Sequence, residues 1–172
     1  MGVLKIIRNT DSGLYYMYNA LGYVTDGHTD YDKRYSINTD LDYACEQFFA
    51  VKKYFDKTSG NPVFHFIVSY NARTTFGTDY ERAESLSRSI ALYFADRYQI
   101  VWGIHDNRTS EKHNDRASIF HTHFVMNSVS YVDGKMFSGN HSEIFTFLEH
   151  IKKVTRDNSW ILKYGSDNEY ED

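Results

Sequence analysis

Cysteine and proline are almost absent from this sequence of 172 residues, which contains one of each. The single cysteine, Cys45, excludes a disulfide within the chain and fits a reducing cytoplasm. Long apolar runs are also lacking, and none approaches the roughly 20 residues that a membrane-spanning helix needs. We see no signal peptide. These absences predict a cytoplasmic protein.

An excess of positive charge is missing as well, since the formal net charge is -4. This argues against a protein that binds DNA simply by neutralising phosphates, although a local basic groove or a metal ion can still supply positive charge. Aromatic residues are abundant, at 17% of the chain, and 15 of them are Tyr. Hydrophobic residues make up 41% of the chain, which is typical of one globular domain with a proper core.

Apolar periodicity predicts one α+β domain over residues 1–160, followed by an acidic, disordered tail over residues 161–172. Runs of β-branched and aromatic residues predict strands at 3–8, 63–70, 98–105 and 119–128. Apolar residues at three- and four-residue steps predict helices within 14–23, 41–55, 80–94 and 144–154. A hairpin makes the last two long strands antiparallel neighbours. We therefore expect an open, mainly antiparallel sheet with helices packed largely on one side.

A paired histidine motif lies in the predicted strand 119–128. Because strand side chains alternate between faces, His121, His123 and Asn127 share one face. Two imidazoles one strand repeat apart lie side by side and can hold one cation. Ordinary strand histidines are the alternative interpretation, but the pairing and the shared face with Asn127 favour a site.

A third imidazole can join this pair. His105 ends the preceding strand, near the same end of the hairpin. Three histidines with an open coordination position are the arrangement that a catalytic metal needs. Asn127 and His65 are candidates for orienting these ligands or for contacting substrate. The polar segment 25–39 reads as a loop, in which Lys33 and Arg34 are either phosphate contacts or ordinary surface charges.

The order of these motifs resembles the MOBP-type mobilisation relaxases of the HUH endonuclease superfamily. The resemblance covers residues 1–157 and rests on five segments: Leu21-Gly22-Tyr23-Val24, His65-Phe66-Ile67-Val68-Ser69-Tyr70, Gly103-Ile104-His105-Asp106, His121-Thr122-His123-Phe124-Val125-Met126-Asn127-Ser128-Val129 and Asp133-Gly134-Lys135. It implies site- and strand-specific nicking of single-stranded DNA at an origin of transfer of a plasmid or integrative element. It also implies a bacterial cytoplasm, with accessory DNA-binding and coupling proteins as partners.

The resemblance further implies a chemical mechanism. A tyrosine attacks the scissile phosphate and becomes linked to the 5′ phosphate, while His105, His121 and His123 hold a divalent ion that polarises it. The family implies Mg²⁺ or Mn²⁺, and imidazole ligands favour binding of Zn²⁺ or Ni²⁺ in vitro. The chemistry is consistent, because a phenol with a pKa of about 10 is a poor nucleophile at neutral pH without a metal or a base.

The nucleophile is predicted at Tyr23, which best fits the family's tyrosine-aliphatic pattern; the alternatives are Tyr18, Tyr16 and Tyr15. The sequence departs from the family at two points. His28 stands where a basic residue often follows the tyrosine, and the segment 107–118 is longer than in many relatives. That insertion makes His113 an alternative to His105 as third ligand.

Two other functions stay open at this point. A rolling-circle replication initiator of the same superfamily would carry its tyrosine on a helix after the metal motif, but residues 141–157 contain no Tyr. A non-catalytic domain that binds nucleic acid or protein, with a structural histidine cluster, is favoured by the net charge of -4. In that case, removal of metal would change the stability of the protein or have no effect, and it would not change DNA cleavage.

Overall fold

The computed structural model describes residues 1–8, 13–25, 33–71, 73–106 and 120–166. The strands are β1 (Val3–Arg8), β2 (Arg34–Ile37), β3 (Val63–Ser69), β4 (Ile100–Asp106), β5 (Phe120–Asn127) and β6 (Ile161–Ser166). The helices are α1 (Leu14–Thr25), α2 (Ala44–Tyr54), α3 (Thr75–Thr78), α4 (Tyr80–Leu92) and α5 (His141–Thr155). None of the helices in these ranges is both long and apolar enough to cross a membrane.

The six strands form one open sheet in the order β2-β4-β5-β3-β1-β6. All neighbours are antiparallel except β1 and β6, which are parallel. The predicted mainly antiparallel α+β sheet is therefore confirmed. Strands β3 and β4 run in the same direction, as the helical connection between them predicts, but β5 lies between them.

Helices cover both faces of the sheet rather than largely one. On one face, α4 and α5 pack against an aromatic core that includes Phe66, Trp102 and Phe124. On the other face, α1 and α2 pack against Val101 and Val125. The central strands are apolar on both sides, so adjacent residues serve different cores. Apolar patterns show that both faces are buried, but not which helix covers which face.

Two edge strands were not predicted. Strand β2 lies in the segment 25–39 that was expected to be a loop. Strand β6 occupies residues 161–166 of the expected disordered tail, so the ordered domain extends beyond the boundary placed at residue 160. The remaining tail residues, 167–172, lie outside the described part of the chain. Both strands are short and half exposed. Their sequences therefore lack the clear alternation of apolar and polar residues that predicts a strand.

A buried lysine of α2 forms hydrogen bonds to residues next to β3 and β5. The side chain of Lys52 is 1% exposed. Its Nζ donates hydrogen bonds to the carbonyl oxygen of Pro62 at 2.5 Å and to Oγ of Ser128 at 3.2 Å. Burial disfavours the charged form and lowers the pKa of Lys52 from 10.5 to about 8.

We predict that alkaline pH stabilises the wild-type chain relative to Lys52→Met. Between pH 8 and pH 10.5 the unfolded chain holds a proton on Lys52 that the folded chain has released, so the free energy of unfolding rises with pH. The gain from neutral pH to the upper end of this range is about 3 kcal/mol. Urea unfolding of both proteins at several pH values measures it. The exposed neighbour, in Lys53→Met, is the control, and a pH-independent difference for Lys52→Met contradicts the prediction.

Candidate metal centre

The pairing of β4 with β5 brings three imidazoles together. His105 lies directly opposite His121, and His123 lies opposite Gly103. Directly opposed strand residues point to the same face, and residues two apart on one strand do so as well. The three side chains therefore share the face that α1 covers. One ring nitrogen from each histidine lies within 4.8 Å of those of the other two.

The histidine cluster is mostly buried. His105 is 8% exposed and His123 is 2% exposed, whereas His121 is half-buried. The pKa of His123 is lowered well below 6.5, mainly by burial and then by the neighbouring imidazoles of His105 and His121. The ring of His123 is thus neutral at neutral pH, and a neutral imidazole is the form that binds a metal.

The residues present fit a divalent ion. Nδ1 of His123 is buried and has no hydrogen-bond partner among the described residues. Buried polar atoms rarely lack a partner, and a metal ion is one way to satisfy a ring nitrogen. The pairing of β4 with β5 brings together the predicted set of His105, His121 and His123, whereas His113 lies outside the described residues.

Helix α1 places a tyrosine beside this cluster. The ring centroid of Tyr23 lies 5.0 Å from that of His123 and 5.7 Å from that of His105. The phenol is half-buried, and burial raises the pKa of Tyr23 above its usual value of 10.0. The tyrosine is therefore protonated at neutral pH unless positive charge is brought close to it.

The three other tyrosines of α1 lie away from the histidine cluster or only at its border. Tyr15 and Tyr18 are 74% and 64% exposed, and they point away from the sheet. Tyr16 is buried two helical turns before Tyr23, on the same side of α1. Its hydroxyl makes a hydrogen bond of 3.1 Å with Nδ1 of His65. Of the four candidates, Tyr23 is the one whose ring contacts the imidazoles of the cluster.

His65 lies next to the cluster without belonging to it. It pairs with Val125 across β3 and β5, so it points to the same face as His123. The two imidazole centroids are 6.0 Å apart. Burial lowers the pKa of His65 to about 3, so its ring is neutral. Through Tyr16 this histidine ties α1 to the sheet, which supports the position of the helix over the cluster.

The position of Asn127 does not fit the predicted role of orienting the histidines. Its side chain is fully buried, and its Nδ2 donates hydrogen bonds to the carbonyl oxygen of Phe48 at 3.2 Å and to Oε1 of Gln99 at 2.9 Å. It shares a face with His123 but lies four strand residues away, which is about 13 Å. Asn127 therefore anchors α2 at the far end of β5 and does not orient the imidazoles.

Lys5 is a neighbour of the site that the sequence analysis missed. It pairs with Ile67 of β3, which in turn pairs with His123 of β5, so Lys5 points to the histidine face. Its charge adds to the effects of burial and of the neighbouring imidazoles that lower the pKa of His123. No spacing rule connects residue 5 with residue 123, because only the strand order of the sheet brings them together.

One comparison with known protein families gives a match. A family model described as "Relaxase: MobA/VirD2-like, nuclease domain" matches residues 16–160. The matched range contains Tyr23, His65 and all three histidines of the cluster. No curated protein and no solved structure matches the chain.

Proposed function

Because the chain belongs to the MobA/VirD2-like relaxase family, we propose that it nicks one strand of DNA at a specific site within an origin of transfer. The substrate in this proposal is the single-stranded origin of a plasmid or integrative element in a bacterial cytoplasm. Accessory DNA-binding and coupling proteins would assist. The observation that carries the proposal is the position of Tyr23, whose ring lies 5.0 Å from that of His123 in the three-histidine cluster.

Tyr23 is the proposed nucleophile. Its hydroxyl oxygen attacks the phosphorus atom, the bond from phosphorus to the 3′ oxygen breaks, and the 5′ phosphate becomes esterified to the tyrosine. The phenol proton passes to solvent, and the departing 3′ oxygen takes up a proton to become a free hydroxyl. One phosphodiester replaces another, so the strand can be rejoined by the reverse reaction.

The three histidines are the proposed metal ligands. His105, His121 and His123 would hold a divalent ion, and the family favours Mg²⁺ or Mn²⁺, while Zn²⁺ or Ni²⁺ suit imidazole ligands in vitro. When bound, such an ion withdraws charge from the non-bridging oxygens of the phosphate. The chain itself contributes geometry, because the β4–β5 pairing fixes the three rings and α1 holds Tyr23 against two of them.

A rolling-circle initiator is the weaker candidate within the same superfamily. Its nucleophile would lie on the helix after the metal motif, which here is α5. That helix contains no tyrosine, and its first turn carries His141, Ser142 and Glu143 instead. The tyrosine that contacts the cluster comes from α1, at the other end of the chain.

Capture of a covalent adduct tests the proposal. The chain is incubated with Mn²⁺ and a pool of single-stranded oligonucleotides that share fixed ends and a randomised centre. Protein is then isolated under denaturing conditions, and both cleavage products are sequenced. We expect an adduct enriched for one sequence and abolished by a chelator. A chain that binds Mn²⁺ but forms no adduct with any sequence contradicts nicking and favours a non-catalytic domain.

A further inference from the structure

Three buried hydroxyls form a closed group on the α4 side of the sheet, behind the histidine cluster. The phenol oxygen of Tyr70 lies 2.5 Å from Oγ of Ser87 and 2.8 Å from Oγ1 of Thr122. Oγ of Ser87 lies 2.8 Å from Oγ1 of Thr122, which completes a triangle. Each of these residues has at most 2% of its surface exposed. We call the three residues the hydroxyl triangle.

The hydroxyl triangle connects three separate segments of the fold. Thr122 belongs to β5, Ser87 belongs to α4, and Tyr70 directly follows β3. Thr122 stands between His121 and His123 in the sequence, and it points to the opposite face because side chains alternate along a strand. The segment that carries two of the three imidazoles is therefore held from behind, by a helix and by the end of a neighbouring strand.

The protons of the hydroxyl triangle all have acceptors within the protein. Oγ of Ser87 donates to the carbonyl oxygen of Ala83, one turn earlier in α4, at 2.7 Å. The Tyr70 hydroxyl can then donate to Ser87, and the Thr122 hydroxyl can donate to either of them. Burial raises the pKa of Tyr70 to about 12, although its two hydroxyl neighbours lower it, so the phenol keeps its proton at neutral pH. A buried network that is satisfied in this way is rigid.

Thr122 places a hydroxyl on an otherwise apolar face of β5. Its neighbours on that face are Phe120, Phe124 and Met126, which all belong to the aromatic core. A valine would bury more apolar surface at this position. A buried hydroxyl costs free energy unless its hydrogen bonds are made, and in return those bonds define one geometry. The hydroxyl of Thr122 therefore fixes the position of β5 more exactly than apolar packing would.

The histidine end of β5 is where such definition matters. The described pairing of β4 with β5 begins at Asp106 and Phe120, one residue before the pair of His105 and His121. The terminal pairs of a strand ladder open more easily than the central ones. Residues that bind one ion must keep their relative positions to about 0.5 Å. A shift of β5 at Thr122 would move both flanking imidazoles away from that of His105.

We propose that the hydroxyl triangle positions the metal ligands: it holds β5 at Thr122, so that the imidazoles on either side converge with that of His105 on one ion. Tyr70, Ser87 and Thr122 are thus positioning residues. The inference rests on the proposed function, because it takes the three histidines to be metal ligands. Since the triangle lies on the opposite face of the sheet, it acts on the ligands without contacting the ion or the DNA.

Titration calorimetry of Thr122→Val with Mn²⁺ tests the inference. The substitution removes one hydroxyl and keeps the branched shape, while Tyr70 and Ser87 keep each other and Ala83 as partners, so the chain should fold. We expect Mn²⁺ to bind about tenfold more weakly than to the wild-type chain, at the lower end of the loss typical when a group that orients a ligand is removed. Thr122→Ser keeps the hydroxyl and should recover most of the affinity.

Two further measurements separate positioning from a general loss of stability. Tyr70→Phe should also weaken Mn²⁺ binding, and its combination with Thr122→Val should lose less than the product of the two single losses, because both act through one network. Adduct formation by Thr122→Val should need about tenfold more Mn²⁺ and still reach the wild-type rate at saturating Mn²⁺. A residue that took part in the chemical step would lower the rate at saturation as well.

Ser128→Ala is the matched control, because Ser128 is also buried and its Oγ donates to the carbonyl oxygen of Asn61 at 2.7 Å, at the other end of β5. This variant should melt at a lower temperature than the wild-type chain and bind Mn²⁺ equally well. Wild-type affinity in Thr122→Val, an equal loss in Ser128→Ala, or no recovery in Thr122→Ser overturns the inference and leaves the relaxase proposal standing. A wild-type chain that binds no Mn²⁺ overturns the proposed metal centre, and this inference with it.

Discussion

Tyr23→Phe is expected to form no covalent adduct with DNA above background, a loss of at least about 10³-fold in rate. The substitution removes the hydroxyl oxygen that we propose attacks phosphorus, and it leaves the ring that packs against His105 and His123. Mn²⁺ binding should therefore be unchanged. Denaturing gel electrophoresis of labelled oligonucleotide measures the adduct, and titration calorimetry measures the ion.

Two other tyrosines of α1 serve as controls for this prediction. Tyr18→Phe alters an exposed ring and should behave like the wild-type chain. Tyr16→Phe removes the hydroxyl that bonds Nδ1 of His65, which should lower the free energy of unfolding by about 1–3 kcal/mol while the adduct still forms. An adduct that survives in Tyr23→Phe and disappears in Tyr16→Phe would move the nucleophile to Tyr16.

His123→Ala is expected to lose both metal binding and adduct formation. His123 is the central ring of the cluster, 4.5 Å from the centroid of His105 and 5.1 Å from that of His121. Loss of a residue that only orients a ligand costs 10- to 100-fold in metal affinity, so loss of the ligand itself should cost more than about 100-fold.

Thermal shift measures this second prediction directly. Mn²⁺ at 100 times its dissociation constant should stabilise the wild-type chain by about 2.7 kcal/mol, and it should not stabilise His123→Ala. His141→Ala is the control, because His141 is an exposed residue in the first turn of α5. If His123→Ala binds Mn²⁺ as tightly as the wild-type chain, the cluster is not the metal centre.

The histidine cluster could be predicted from the sequence because its geometry is local. Alternation along β5 places His121 and His123 on one face, and the hairpin to β4 brings His105 opposite His121. Both steps depend on period and connectivity, which a sequence displays directly. The same reasoning located β1, β3, β4 and β5 to within two residues, since all four are strongly apolar or alternate clearly.

The parts that could not be predicted depend on packing between distant segments. Periodicity identifies α1 as a helix. It does not show that Tyr23 faces the imidazoles whereas Tyr18 faces solvent. His65 and Asn127 show the same limit of the sequence, because both share the face of His123 and only His65 lies near it. A shared face gives the direction of a side chain, whereas distance requires the strand order and the register.

The origin of the site residues along the chain has a consequence for folding. All three imidazoles come from the strand pair β4 and β5, which are consecutive in the chain, whereas Tyr23 comes from a helix near its beginning. Closing a hairpin costs less conformational entropy than docking a helix across a long intervening segment, so the three histidines can come together first. Assembly of the histidine cluster and alignment of the proposed nucleophile are therefore separable. Local undocking of α1 would move Tyr23 away and leave the three histidines in place.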